Sequence, residues 1–391
     1  MKNSLHPFFL LFFTLPLSAQ PCLPDGISFT TQQEIDDFPA SYSGCTEIEG
    51  DIEITGTGIT DLNGLSAITN IKGNLKIHDT NLLETLDGLN NLASVEGSLM
   101  LWGNNALLNL TGLEGLTAVQ KHLAIGSNPD TCLCPVGNYA LNSLAGLENL
   151  ASVGGGLYIQ KNIFLTDLKG LDDLATVGGD LMLGDNTMLA SLTGLEGLSS
   201  IGGSVSIGIY TPEVAHGNAA LLNLKGFDNL TAIGGSFSIL HNLSLADISA
   251  LNHPLSIGGD LTIYENTALP ECAVQAVCDY LSAPNGAVDI HSNATGCNSS
   301  TEVEAVCTVG VKDGIFEPDW VIYPNPSAGV FVVKGGEGKI SIRDAGGNLI
   351  QEFSTGGFSQ IDLGSNPAGV YFVEIQTDKG RTMKKVIQFH P

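Results

Sequence analysis

Apolar positions recur along this chain at a fixed spacing. Leu-x-Gly-Leu begins at Leu62, Leu86, Leu110, Leu144, Leu168 and Leu192, continues as Leu224-x-Gly-Phe and fades at Ile248-x-Ala-Leu. The third residues fall at 64, 88, 112, 146, 170, 194, 226 and 250, so the steps are 24, 24, 34, 24, 24, 32 and 24: a period of 24 with two insertions. Each copy runs on into a Gly-x-Leu-x-Ile-like stretch such as Gly155-Gly156-Leu157-Tyr158-Ile159. Its alternation predicts one short strand with one face buried. A further stretch of this kind, Gly50 to Ile54, precedes the first copy. Before the eight motifs stand Asp61, Thr85, Asn109, Ser143, Asp167, Ser191, Asn223 and Asp247, residue types that cap a helical turn. The predicted coil is therefore strand, turn and short helical turn. One coil cannot bury its Leu/Ile face alone, whereas stacked coils share a continuous core and need capped ends.

Polar positions are periodic too. Three residues after the last apolar residue of the strand comes Asn, at Asn104, Asn128, Asn162, Asn186, Asn242, Asn266 and Asn293; copies one and six break the rule, the latter by its insertion. Where a coil turns inward, a short amide can satisfy backbone groups that would otherwise be buried unpaired, so the column is assigned a structural role. Upstream, Thr31-x-x-Glu34 is a capping-box signal for a helix through Phe38 in an N-terminal cap closed by Cys22 and Cys45. Downstream, Glu271 to Leu281 reads as helix, Val288 to His291 repeats the strand, and Ser300 to Cys307 gives a second helix.

These residues resemble leucine-rich repeats and, more closely, the receptor L-domain type of solenoid, over about residues 45–308. Leu92-x-x-Val95-x-x-x-Leu99-x-Leu101-x-x-Asn104 carries the likeness. The chain departs from the usual leucine-rich consensus by one extra residue before the strand and by Gly pairs such as Gly178-Gly179. The resemblance implies a mainly β, right-handed single-strand solenoid whose relatives serve mainly in recognition.

After a linker at 309–318 the period stops. Tyr323-Pro-Asn-Pro-Ser-x-Gly, Asp344-x-x-Gly347, Pro367-x-Gly369-Val-Tyr371 and the basic Lys384-Lys385 follow, among alternating stretches at Gly329 to Val333, Ile340 to Arg343 and Leu349 to Phe353. The alternation predicts a small β-sandwich. The motifs look like the type A sorting domain of the type IX secretion system, which implies the type IX machinery as a partner. It also implies passage across an outer membrane of the Bacteroidota type, with the domain usually removed and the cargo released or surface-attached. At the other end, Met1 to Ala19 has Lys2, an apolar stretch from Phe8 to Leu17 and a small residue at 19, the layout of a cleavable secretory signal. The expected organisation is a signal at 1–19, a cap at 20–49, a solenoid at 50–308, the linker at 309–318 and a sorting domain at 319–391.

Charge and cysteine then restrict function. Residues 20–318 hold 7 basic and 34 acidic residues, net −27, while the chain from Asp319 onward balances 7 against 7. That field repels nucleic acid and anionic membrane surfaces. No stretch after the leader offers 18 uninterrupted apolar residues, so no transmembrane segment is expected. Export permits disulfides, and the even set of Cys22, Cys45, Cys132, Cys134, Cys272, Cys278, Cys297 and Cys307 suits four bridges. If the last coil stacks in register, Cys272 lies near Cys297 and Cys278 near Cys307. Cys132 and Cys134 have no second pair at finger-like spacing, which argues against zinc.

A recognition surface is expected on the strand face, where Lys76, Met100, Ala124, Tyr158, Met182, Ser206, Ser238 and Thr262 alternate outward beside a row containing His78, Trp102, Gln160, Leu240, Tyr264 and His291. Trp102, Tyr158 and Tyr264 could stack on sugars or anchor a protein, or lie as isolated aromatics. The insertions, near 127–139 and 209–218, both follow a strand and bracket coils four and five, three strand steps or about 15 Å apart. A pocket floored by Tyr158, Gln160, Met182 and Asp185 is predicted between them. Glu114, Glu148, Asp172, Glu196 and Asp228 share one repeat position: a solvated acidic column, or loose calcium ligands. No other cofactor is expected. Outward acids such as Asp180 and Asp260 are scattered, the histidines lack a nucleophile partner, and HExxH, GxSxG, P-loop and dinucleotide signatures do not occur. The expectation is a secreted or cell-surface binding or adhesion protein recognising a protein or glycan; the competing readings are a polysaccharide-acting enzyme and a passive surface spacer.

Overall fold

A computed structural model describes residues 21–126, 137–210, 215–309, 321–325, 327–344, 346–377 and 380–388. The proposed leader, Asn128, Cys132, Cys134 and residues 310–318 of the linker lie outside the described residues. The chain divides into two compact units, Met1–Glu304 and Ala305–Pro391.

The first unit is the 24-residue solenoid. Its broad sheet has eleven parallel strands, from Ile27–Phe29 through Ile52–Thr55, Leu75–His78 and onward to Val288–His291. Adjacent strands stack with equivalent repeat positions opposed, as in Leu157↔Leu181 and Ile159↔Leu183. A second, narrow sheet of ten two-residue parallel strands runs from Pro21–Cys22 to Ser256–Ile257. Periodicity did not announce it, because a two-residue strand such as Ser94–Val95 shows a single alternation. Between the two sheets lies an apolar interior: in one coil Leu86, Leu89, Leu92, Val95, Leu99, Leu101 and Leu107 are all fully buried. Each such side chain contributes roughly 1.5–3 kcal/mol on leaving water.

The segment expected as a short helical turn is different in most coils. Asn63–Leu65 and Ser249–Leu251 form single 3-10 turns. In the six copies between, the motif glycine takes φ from +107° to +118°, which is incompatible with a helix. A Cβ at Gly170 would also collide with the Leu144 carbonyl oxygen of the preceding coil, so sterics as well as φ demand glycine. The eight residues expected to cap a helical turn do not cap one; each instead accepts the N–H two residues on. Ser143 Oγ takes the Ala145 N–H at 3.1 Å and Asp247 Oδ1 the Ser249 N–H at 2.7 Å. This is the local turn geometry open to short polar side chains.

The buried amide column is continuous, and it corrects one assignment. Its members are Thr80, Asn104, Asn138, Asn162, Asn186, Asn218, Asn242, Asn266 and Asn293. Asn138, on the far side of the first insertion, holds the place expected for Asn128, and Asn218 resumes the column after the second. Each amide reaches back one coil. Asn186 Nδ2 donates to the Ile159 carbonyl at 2.8 Å, and its Oδ1 accepts the Asn162 N–H at 3.1 Å.

Both ends are closed covalently. At the N-terminal end, helix Gln32–Ser41 carries the predicted capping box. The Thr30 and Thr31 N–H groups donate to Glu34 and hold its carboxyl below the usual carboxylate range. Cys22 bridges Cys45, and at the other end Cys272 bridges Cys297, with Cα separations of 5.8 and 5.2 Å; Cys278 and Cys307 are disulfide-bonded as well. The first C-terminal helix spans Gln275–Ser282 rather than starting at Glu271, since Cys272 is buried in its bridge and Val274 is extended. The strand Val288–His291 and a helix Ser300–Val309 follow.

The second unit is an antiparallel five-stranded sheet. The stretches expected as separate strands around Val330 and Ile340 are one strand, Val330–Asp344, paired along its length with Leu349–Asp362 through a register shift between Lys334 and Glu337. Its first part also pairs with Val321–Tyr323, its second with Gly369–Thr377, and that strand with Gly380–Gln388. Phe331 and Val333 from the first part share one buried cluster with Ile340, Ile342, Val373 and Val386, so both parts of the bulged strand contribute to one core in a single sheet rather than in the expected sandwich. The motif residues fix turns. Asp344 accepts from the Asn348 side chain and the N–H groups of Asn348 and Gly346, which keep its carboxyl below the usual range. Asn325 clasps the Lys385 carbonyl and the Ile387 N–H.

Candidate functional site

The edge of the broad sheet at which its strands end and the amide column begins is where the chain varies most. In the regular coils the residue just before the column takes a left-handed φ between +55° and +68°: Asp79, Gly103, Lys161, Asp185, His241, Glu265 and Ser292. A non-glycine residue is disfavoured there by roughly 1–2 kcal/mol, yet most of these positions carry ionisable side chains. They pair across coils. His241 Nδ1 lies 2.6 Å from Glu265 Oε2, 24 residues on. Lys161 faces Asp185, again 24 residues on; burial pushes its ammonium down and the Asp185 carboxylate opposes that shift.

The two insertions rise from this edge on matching mounts. Gly126 and Gly208 leave the strands at φ +93° and +91°, and a Cβ on them would collide with the carbonyl oxygens of Gln160 and Leu240 respectively. Gly137 and Gly217 return the chain to the column, where a Cβ would meet the carbonyls of Lys161 and His241. Each insertion thus leaves and rejoins against the backbone of the following coil, where only glycine fits. The second contains an antiparallel hairpin, Ile209–Tyr210 with Ala215–His216, whose first strand approaches Leu181–Gly184 of coil five.

The predicted site residues do not form one pocket. Met182 and Asp185 are partly exposed between the insertions. Gln160 is 2% exposed and is not an open floor residue. Tyr158 is partly buried and its hydroxyl lies over Gly156, a position with no side chain, while its ring sits 5.7 Å from His122. The ring therefore runs along its own strand, away from the insertion edge. Met100 and Ala124, expected to face solvent, are buried. Trp102 and Tyr264 lie on coils two and eight, six strand steps or about 29 Å apart.

Neither of these aromatics is isolated. His78 stacks on Trp102 with centroids 4.3 Å apart and planes within 5°, and His291 stacks on Tyr264 at 4.8 Å. Nor are the histidines lone surface groups. His78 reaches Asp79 and Glu53 at 2.9 and 3.1 Å, His291 approaches Asp289 at 3.5 Å, and His241 meets the edge of Tyr264. The rings form ladders along the sheet, fastened by carboxylates.

The acidic column is occupied by hydrogen bonds, mainly within its own coils, with Glu114 also accepting from Asn90 of the preceding coil at 3.3 Å. Glu114, Glu148, Asp172, Glu196 and Asp228 each accept the N–H of the motif glycine two residues earlier, at 2.6 to 3.0 Å. Among the described residues no group of three or more His, Cys, Asp or Glu is arranged to hold a metal ion. The scattered outward acids also have structural partners: Asp180 takes the Ser204 N–H and Asp260 the Ala287 N–H, both at 2.7 Å. Sequence reasoning missed Lys161, His241 and Glu265, all members of the left-handed row. The signal was available, since they stand immediately before the Asn of Asn-x-x-Leu.

Residues 44–142 match the family described as Receptor L domain, and residues 321–388 match the family described as Secretion system C-terminal sorting domain. The solenoid continues beyond the first match with the same pairing of strands to Val288–His291. A search of curated proteins finds no match to the chain. The first match supports a receptor-like binding fold for the coils it covers, and the second implies export across the outer membrane by the type IX machinery. Among the described residues no helix is long and apolar enough to cross a membrane.

Proposed function

We propose that the chain is an exported recognition protein that binds a protein or glycan ligand on its broad sheet beside coils four and five. One observation carries the reading: two insertions stand on equivalent glycine mounts at one edge of a rigid sheet and bracket Met182 and Asp185. Loops held on a rigid scaffold are common binding elements, and the amide column beneath them preorganises the sheet, so little ordering cost falls on association. Binding rather than catalysis is favoured because Asp180 and Asp260 are committed to backbone N–H groups. In this reading the leader at 1–19 and the sorting domain deliver the solenoid outside the cell, where it stays at the surface or is released.

Glycan and peptide arrays probed with the purified chain identify the ligand. Met182→Ala and Asp185→Asn should then weaken binding about tenfold together, equivalent to about 1.4 kcal/mol. Asn tolerates the left-handed backbone at 185, so the fold is retained. Tyr264→Ala, three strand steps from Met182 and outside the bracketed coils, should leave affinity unchanged. Unchanged binding of every array ligand by the first pair of variants would refute this placement, and silence on both arrays would favour a spacer.

A further inference from the structure

Resting on the placement proposed above, the hydrogen-bonding character of the bracketed face separates its two ligand classes. On coil five Met182 projects from the strand Leu181–Gly184, with Asp180 just before that strand and Asp185 just after it, and Ser206 stands opposite Met182 on the next coil. All four are partly exposed. Their polar atoms accept and do not donate. Ionised carboxylates have no proton to give, and Asp180 already holds the Ser204 N–H. Ser206 has one hydroxyl proton, and it goes to the Gly208 carbonyl. The strand N–H and carbonyl groups between them are engaged by the neighbouring strands. A ligand on this face must therefore bring donors, together with an apolar surface for Met182.

A peptide meets that demand poorly. It carries one carbonyl for every N–H, and a carbonyl laid on an acceptor-only face loses its hydration without gaining a partner. A sugar hydroxyl can donate wherever it meets an acceptor. A pyranose ring also presents C–H groups on its faces, which suit the polarizable and adaptable thioether of Met182.

Charge narrows the class further. Residues 122–218 contain only two Lys or Arg, Lys161 and Lys169. Lys169 pairs with Asp167 on the far turn, while Lys161, 9% exposed, faces Asp185 from the preceding coil. A glycan bearing carboxylate or sulfate therefore meets acids and no exposed Lys or Arg. Lys161 also offsets the Asp185 charge from behind, so a cation gains less there than at an isolated carboxylate. We infer that the bracketed face binds an uncharged glycan, whose hydroxyls donate to Asp185 and Asp180 around a ring laid on Met182, with Lys161 as the positioning residue for Asp185.

The full chain is probed on arrays of uncharged, carboxylated, sulfated and amine-bearing oligosaccharides and of basic peptides. The peptides are the sharpest competitor, because the insertions carry Asp130 and Glu213. The tightest ligand is then titrated by calorimetry at about 50 and 500 mM NaCl, and an uncharged glycan should change its Kd less than about twofold. Lys161→Met keeps the buried stem and a cooperative melt. It should weaken the uncharged glycan about tenfold and admit amine-bearing glycans with salt-dependent affinity; adding Asp185→Asn should abolish that amine binding. Ligands confined to peptides or charged glycans, or a native affinity that falls tenfold with salt, would overturn the ligand class, yet leave the placement standing provided Met182→Ala and Asp185→Asn still weaken binding. Lys161→Met with native affinity and selectivity would overturn the role of Lys161. Unchanged binding by the Met182 and Asp185 variants, or silence on every array, would overturn placement and ligand class together.

Discussion

The solenoid carries two repeated polar columns, and they do opposite work. The buried amides of the Asn column bind the coil before their own: Asn162 donates to the Ile125 carbonyl, Asn186 to Ile159 and Asn218 to Leu183. The acidic column on the far turn is chiefly local: each carboxylate accepts the N–H of a glycine two residues away, and Glu114 also takes the Asn90 side chain of the preceding coil at 3.3 Å. One column ties coils together in a medium without water; the other finishes a turn that solvent could finish as well. Repetition alone therefore does not measure importance. What decides it is whether the partner left behind would have another hydrogen bond to make.

Breaking the buried column should have the largest effect. Asn186→Ala strands the Ile159 carbonyl and the Asn162 N–H inside the stack, at about 1–3 kcal/mol for each unsatisfied group. Chemical denaturation should show a loss on the order of 3–5 kcal/mol. On the acidic turn the glycine outweighs the carboxylate. Gly170→Ala combines φ +107° with a collision against the preceding coil and should cost at least about 2 kcal/mol in the same assay.

Glu148→Ala, by contrast, removes an acceptor from an exposed turn and should cost at most about 1 kcal/mol. The smallest effect concerns calcium. Each carboxylate already serves its own glycine, so about 1 mM calcium, enough to fill extracellular-type sites, should leave the melting temperature unchanged. A rise of several degrees would show that neighbouring carboxylates also bridge coils and would make the two columns alike.

The same contrast explains what could be read from residues alone. Periodicity exposed the solenoid, its strands and most of the Asn column because each depends on a spacing fixed within the coil. Distance from the preceding strand selects Asn128 over Asn138, because the insertion stretches that distance. Measured to the following Leu, as Asn138-x-x-Leu141 and Asn218-x-x-Leu221, the column is regular. The candidate site was less legible. That Gln160 and Met100 are buried, and that His78 and His291 lie flat on Trp102 and Tyr264, depends on residues 24 or more positions away.

Sequence by itself determined the 24-residue coil, the two interruptions, the paired caps and the sorting domain, because all four follow from short-range spacing and residue chemistry. Tertiary structure alone decided the second sheet, the ring ladders and the cross-coil pairs Lys161/Asp185 and His241/Glu265. Each of these is made by side chains on successive coils. Stacking converts a separation of 24 residues along the chain into about 4.8 Å in space, and at that distance residues that look unrelated in sequence share one surface and one set of hydrogen bonds.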